Sequence, residues 1–477
     1  MRADRLGAGR GGNPITPTLD RIARQGTRYE RAYTRGIPTF CSLPALMASR
    51  SPFFAGMKQI RIEASDVTLA EHLRAQGYET AAFVSKNPFA SRAAGCERGF
   101  DEFRDYFDFA PAATRAVELC DDTGVAAQVE RANFGSGLPL WLRNLLRPAR
   151  DLGRDIHELY LSGEYRPYTP ARRLVDECLQ WTAARNRRRP FFVWLHFMDT
   201  HFPYLPSPDA LHAVAGQRIS RMRQRRVDQV WRTNWHARSS QEFRDALSVK
   251  DEIWTLYDAC VRTVDDQVGR LFEGLAAQAS GRDLRFAITA DHGEEFFEHG
   301  QMGHLSDRCY EALARVPLIM SGNPGMPPGS TVGDPVSLID LAPSLCSLCD
   351  VPAQPAWQGR PLWDLPPRPR VIIEGADDAQ VQPLGDLSGT DFARRHMTAV
   401  IQGEWKVVWH ARSDTWQAFF LGDDPGERKN LANGDWPEPA ATLRDWLRQQ
   451  VPAQHDVRSR VRERVRELRG EGVFRER

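Results

Sequence analysis

The sequence predicts an α/β fold with a mostly parallel sheet and helices on both faces. Two patterns predict it. Short apolar, β-rich runs alternate with amphipathic helical runs, the rhythm of strand–helix–strand units. The residues able to do chemistry sit just after predicted strands, where such sheets bind ligands. With 477 residues, 42% of them hydrophobic, the chain can build one large core and a smaller appendage.

The elements follow in order. "TLAEHLRAQGY" reads as a helix, with Leu69, His72, Leu73 and Gln76 set by the 3.6 period, and "ETAAFVSK" as the next strand. "ARRLVDECLQWTAAR" is a helix and "PFFVWLHFMD" the strand after it. "DEIWTLYDACVRTVDDQVGRLFEGLAAQ" is a long helix, followed by the strands "RFAITADHG" and "VPLIMSG". Residues 105–170 and 205–245 are polar and Arg-rich and break the rhythm, as insertions over one face do. After about residue 365, "RVIIEGA", "HMTAVIQGEWKVVWH" and "TWQAFFLGDDPGERKNLA" read as short strands, and a helix follows. The expected organisation is a catalytic domain over 1–365, a small α+β subdomain over 366–450 and a basic helical tail over 451–477.

The formal net charge is +1, which gives no electrostatic argument for nucleic acid. "RNRRRP" and the basic tail read as solvated helix faces. No stretch approaches the roughly 20 apolar residues of a membrane span. "LPLWLRNLLRPARDLG" reads as a packed helix, with a membrane-surface helix as the alternative. Eight scattered cysteines show no disulfide framework and favour a reducing compartment. "CSLC" at Cys346 and Cys349 lies in a helical run and reads as core thiols.

Three stretches carry chemistry. In "AITADHGEEFFEHGQMGH", Asp291 and His292 close a strand, and His299 and His304 follow. A carboxylate beside an imidazole at a strand end can deliver two metal ligands to one point. In "FFVWLHFMDTHFPY", His201 on a Pro-constrained loop can bind an anionic oxygen or serve as the acid for a leaving group. His196, within the strand, reads as structural. In "AYTRGIPTFCSLPALMASRSP" a helix is expected over "SLPALMAS", capped by Ser42 with Pro44 in its first turn. A Thr, Ser or Cys at that junction, beside a divalent metal, becomes a nucleophile.

Together these stretches resemble the sulfatase family of the alkaline phosphatase superfamily. The resemblance runs through "TPTLDRIARQGTRYERAYT", "GCERGFDEF", "YDACVRTVDDQVGRL", "RVPLIMSG", "VSLIDLAPSL" and "GDDPGERKNL", in the family's order. It implies an alkaline-phosphatase-like three-layer sandwich with a small C-terminal α+β subdomain. It also implies a metal-dependent hydrolase of sulfate esters or phosphate esters and diesters. Counting back from Pro52 puts Thr39 at the nucleophile position and Ser42 at the motif Ser. Cys41 then stands where the family usually has Pro, and Leu43 where sulfatases proper have Arg. No formylglycine is therefore expected, and Cys41 is the alternative nucleophile.

The implied catalytic residues are Thr39, His201 and His304, the two histidines also binding substrate oxygens. One divalent cation (Ca, Mg, Mn or Zn) is implied, with Asp291, His292 and Thr39 as ligands. The family's fourth ligand is an Asp ending a hydrophobic strand that precedes the segment resembling "RADRLG", so that ligand is not expected within these residues; Asp4 resembles an acid outside the metal shell. An upstream start or a degenerate member would each account for this. The implied substrate is an anionic sulfate- or phosphate-ester small molecule, glycan or lipid head group. A phosphoethanolamine-type transferase using the same Thr intermediate, and a non-catalytic binding protein, are the alternatives. The location expected is cytoplasmic as written, or secreted or periplasmic with an upstream start.

Overall fold

The computed structural model describes residues 1–10, 13–52, 62–107, 168–185, 189–216, 247–278, 283–304, 308–376, 396–411 and 413–450, with isolated positions between 223 and 244. The amphipathic segment around residue 140, most of the first insertion and the basic tail lie outside the described residues.

Strands β1 (Thr27–Tyr33) and β2 (Gly36–Ile37) precede helix α2 (Thr39–Ala48); α1 (Pro17–Ala23) comes before them. Then follow α3 (Leu69–Ala75), β3 (Glu79–Val84), β4 (Glu102–Arg104), α4 (Ala171–Ala184), β5 (Phe191–His196), α5 (Pro208–Ala215), α6 (Lys250–Gln278) and β6 (Ala287–Thr289). The next elements are β7 (Arg315–Met320), β8 (Ser330–Val332), β9 (Val336–Ser337) and α7 (Leu341–Leu348). The C-terminal unit holds β10 (Val371–Ala376), β11 (His396–Gln402), β12 (Trp405–His410), β13 (Thr415–Phe420) and α8 (Glu438–Gln450).

Strands β4, β3 and β5 form a parallel sheet, in that order. A second sheet runs β8-β1-β7-β6, with β9 also on β1. In it β8 and β9 are parallel to β1, whereas β7 is antiparallel to both β1 and β6. The sheet region is thus mixed, because β7 runs against its neighbours. Helices cover both faces. Leu174, Val175 and Cys178 of α4, with Leu271 of α6, pack on Ala81 and Phe83 of β3. Leu43 and Met47 of α2 pack on Ala82 and Val84 from the other side. Alternate residues of one strand reach opposite layers, as the pleat requires, and three layers result.

Local signals explain the boundaries. Helix α3 opens on a reciprocal capping box between Thr68 and Glu71, which satisfies two orphan donors at once. Helix α6, at 29 residues, spans about 43 Å at the standard rise. Its fully buried Asp265 accepts from the backbone N–H of Thr18 and Leu19 at 3.0 and 2.8 Å. That carboxylate caps α1, whose first turn begins with a proline. Residues 208–215, expected to be irregular, form helix α5 because Ser207 caps it and Pro208 starts it.

The C-terminal sheet runs β13-β12-β11-β10-β2. Its last strand, β2, belongs to the N-terminal part of the chain and pairs in parallel with β10. The subdomain therefore grips the segment that leads directly into α2.

Candidate active site

The expected helix start at Ser42 is corrected by three residues. Helix α2 begins at Thr39, and the Pro38 carbonyl already accepts from the N–H of Cys41 and Ser42 at 2.8 and 3.1 Å. Ser42 lies inside the first turns, its hydroxyl donating to the Thr39 carbonyl at 3.0 Å. Thr39 thus stands at the positive end of a ten-residue helix, where developing negative charge is stabilised.

Across from it, Asp291 and His292 follow β6. The Thr39 hydroxyl donates to Asp291 Oδ2 at 2.7 Å and lies 3.2 Å from His292 Nε2. Asp291 Oδ2 and His292 Nε2 are 3.5 Å apart. His292 Nδ1 faces the Gly293 carbonyl at 2.8 Å. A carbonyl can only accept, so Nδ1 carries the proton and Nε2 presents a lone pair to Thr39. The loop is held by close backbone approach: a Cβ on Gly293 would lie 2.0 Å from the Ala312 carbonyl oxygen. Only glycine permits that contact.

His304 and His201 complete the cluster. The His292 and His304 rings are 4.5 Å apart, and the His201 and His304 rings 5.0 Å. His304 Nδ1 lies 3.0 Å from Glu294 Oε1. His201 Nδ1 donates to the Phe202 carbonyl at 2.5 Å. The structure therefore brings together Thr39, Asp291, His292, His304 and His201. Cys41 is fully buried, packed where a Cβ on Gly36 would lie 2.7 Å from its own. Thr39, not Cys41, is the residue whose side chain meets Asp291 and His292.

Burial and mutual charge set the protonation states. Burial pushes His201 down to about 4, reinforced by His304. Burial also lowers His292 and His196. For Asp291, burial opposes ionisation, but His292, His196 and the Thr39 hydroxyl hold its pKa well below normal. Glu294 is held low in the same way by His304, His201 and His292, against its burial. The Met1 nitrogen donates to the His292 carbonyl at 3.0 Å.

Sequence reasoning missed two of these partners, Glu294 and Asn87. Glu294 orients His304; its signal was only an acidic doublet beside His292. Asn87 lies 3.2 Å from His196 Nε2. Asp199 accepts from the Ala171 N–H at 2.9 Å and so caps α4.

Two strong donors and a hydroxyl, converging on one point, suit a divalent cation that keeps open positions. Among the described residues no group of three His, Cys, Asp or Glu side chains gathers for a metal. The residues present therefore fit a cation as a partial ligand set.

A three-layer α/β sandwich here sets a hydroxyl at a helix head against an Asp–His pair, an arrangement that suits ester hydrolysis. The chain belongs to the sulfatase family, whose model matches residues 1–351. It is 23% identical to an arylsulfatase of Clostridium perfringens over 91% of this chain and 89% of that one. Its fold is similar to the phosphonate monoester hydrolase of Agrobacterium radiobacter, with a TM-score of 0.66 and 18% identity over 95% and 94% of the two chains. It is also similar to a protein solved with its substrate D-glucosamine-2-N,6-O-disulfate, with a TM-score of 0.60 and 15% identity over 92% and 93%. Members of this family generally use a divalent metal ion. No described helix is long and apolar enough to cross a membrane.

Proposed function

We propose that the chain hydrolyses sulfate, phosphate or phosphonate esters through a covalent ester on unmodified Thr39. The observation that carries this reading is the Thr39 hydroxyl, at the head of α2, directed at Asp291 Oδ2 and facing the His292 lone pair. A divalent cation held by Asp291, His292 and Thr39 would supply Lewis-acid stabilisation of the charge that develops on the ester oxygens.

The side chains then divide the proton work. Thr39 Oγ1 bonds to sulfur or phosphorus as its proton passes to Asp291 Oδ2. The departing oxygen takes a proton from Nε2 of His304 in its imidazolium form, whose Nδ1–H faces Glu294. Water then attacks the Thr39 ester and returns a proton to His304, while Asp291 returns its proton to Thr39. His201 is neutral at neutral pH, since burial holds it near 4. A neutral His201, its ring 5.0 Å from that of His304, would serve by binding a substrate oxygen.

The test is release of 4-nitrophenol from its sulfate, phosphate and phenylphosphonate esters, with added divalent cations. Thr39→Ala is expected to lower the rate at least about 1000-fold, and Thr39→Ser to keep a measurable part of it. Intact mass and peptide mapping should find Thr39 and Cys41 unmodified. Full activity in Thr39→Ala, or formylglycine at position 41, overturns the reading.

A further inference from the structure

The C-terminal sheet has two faces with different duties. Val408 and Phe419 face the catalytic domain and pack with Tyr33, Ile37, Leu313 and Ala314. Val407 and Ala418 face the other way, against Leu443 and Leu447 of α8, with Trp409 and Trp416 beside them. A concavity of about 450 Å³ opens at the β13 edge, between that strand and α8, lined by residues of β12, β13, α8 and the segment joining β13 to α8. That volume lies in the range of small-molecule sites.

Its lining is unlike a structural groove. Trp416 and Trp436 meet at 75° with centroids 6.3 Å apart, forming a corner of two indoles. Arg444 lies over Trp436 at 4.7 Å and Arg448 over Trp416 at 5.1 Å. Arg444 pairs with the exposed Asp445 at 2.9 Å. Arg448 makes no ion pair among the described residues. His410, Gln417, Asn430 and Asn433 add neutral hydrogen-bonding groups to the wall. The Trp416 indole N–H is buried and has no hydrogen-bond partner among the described residues. Such a donor is normally satisfied in a folded protein, so an acceptor from outside the chain suits it.

We propose that this concavity is an accessory site for an anionic saccharide, separate from Thr39. The indole rings wall the site, and the amides and the Trp416 N–H suit the hydroxyls of a sugar. Two guanidinium groups stacked on indoles lose little freedom when they take an oxyanion, and they bind one by charge-assisted bonds. The polar wall disfavours a lipid tail, and the two arginines disfavour a cation. A sulfate and a uronic carboxylate share the chemistry the arginines read.

The experiment uses the full chain and a heparin-derived tetrasaccharide as the probe, followed by calorimetry and tryptophan fluorescence. The desulfated tetrasaccharide tells sulfate from carboxylate, and a neutral gluco-oligosaccharide is the uncharged control. Binding is expected to weaken at least about tenfold in Arg444→Gln/Arg448→Gln, with an unchanged thermal midpoint as the check that the variant folds. Trp416→Phe keeps the ring and loses the N–H, so it should weaken binding without abolishing it. Thr39→Ala should leave this binding unchanged, which separates the site from the catalytic centre. Undiminished binding in the double arginine variant overturns the proposal. So does equal affinity for the neutral sugar, or tighter binding of a mononucleotide than of the tetrasaccharide.

Discussion

Thr39 Oγ1 and Asp291 Oδ2 stand 2.7 Å apart although 252 positions separate them in the chain. One is fixed by the first turn of α2, the other by the end of β6. The contact orients the hydroxyl and gives its proton a destination in one hydrogen bond. The carboxylate is held ionised against its burial by His292, His196 and the Thr39 hydroxyl. Asp291→Asn keeps the shape but removes that destination. We expect kcat/KM to fall about 1000-fold or more, with the thermal midpoint nearly unchanged. A rate within tenfold of the parent would remove Asp291 from the mechanism.

Glu294 offers a finer test, because it touches His304 and not the ester. Its buried carboxylate faces His304 Nδ1 at 3.0 Å. Fixing one ring nitrogen decides which nitrogen faces the substrate. Glu294→Gln is expected to lower kcat about 10- to 100-fold with little change in KM, the range typical for partners that orient a functional imidazole. Steady-state kinetics separates this from a packing defect, which would raise KM and lower the melting point together.

Much of this centre was legible in the sequence, for physical reasons that differ by residue. Asp291 and His292 were readable because a β-rich run ends on them, and strand ends are where such sheets place chemistry. Helix α6 was readable because the 3.6 period runs through most of its 29 residues. Thr39 was found through the family pattern, yet the helix start was placed three residues late. Serine is a strong cap by propensity, but here the Pro38 carbonyl closes the turn first. Glu294 was not legible, since a buried carboxylate and a surface one look alike in a string. The entry of β2 into the C-terminal sheet was hidden as well, because two residues carry no periodicity and their partner lies more than 330 positions away.

Lys406 shows the same limit. It stands in β12 between Trp405 and Val407 and is fully buried. Its ammonium lies 2.8 Å from Glu427 and 3.2 Å from Glu311. The group ties the C-terminal sheet to the segment that follows the His304 loop. Burial, in spite of the Lys406 charge, pushes Glu427 up to about 7. Removing one partner of a buried ionic group costs more than the group contributes when whole. Lys406→Met should therefore destabilise the protein by about 3–5 kcal/mol at pH 8. The loss should shrink at pH 5, where Glu427 can take a proton and leave no second buried charge. Urea unfolding at the two pH values measures the difference; an equal loss at both would contradict the assignment.

His299 adds a pH dependence of known sign. Its ring stacks on Tyr310 at 3.6 Å, faces Glu295 Oε1 at 3.2 Å, and Nε2 reaches the Gly426 carbonyl at 3.0 Å. Arg308 also reaches Glu295, at 3.2 Å. Burial alone would lower the affinity of His299 for a proton. The hydrogen bond to Glu295 and the charges of Glu295 and Glu427 outweigh it, so the pKa is raised above the ordinary 6.5. The folded state then holds this proton more tightly than the unfolded chain does. Its contribution to stability is whole below pH 6.5 and is lost as pH rises through the folded value. His299→Gln keeps a hydrogen-bonding side chain but cannot titrate. In thermal melts from pH 6 to 8.5, the parent is expected to lose stability more steeply than this variant. Parallel profiles would show that His299 carries no proton in the folded protein at pH 6.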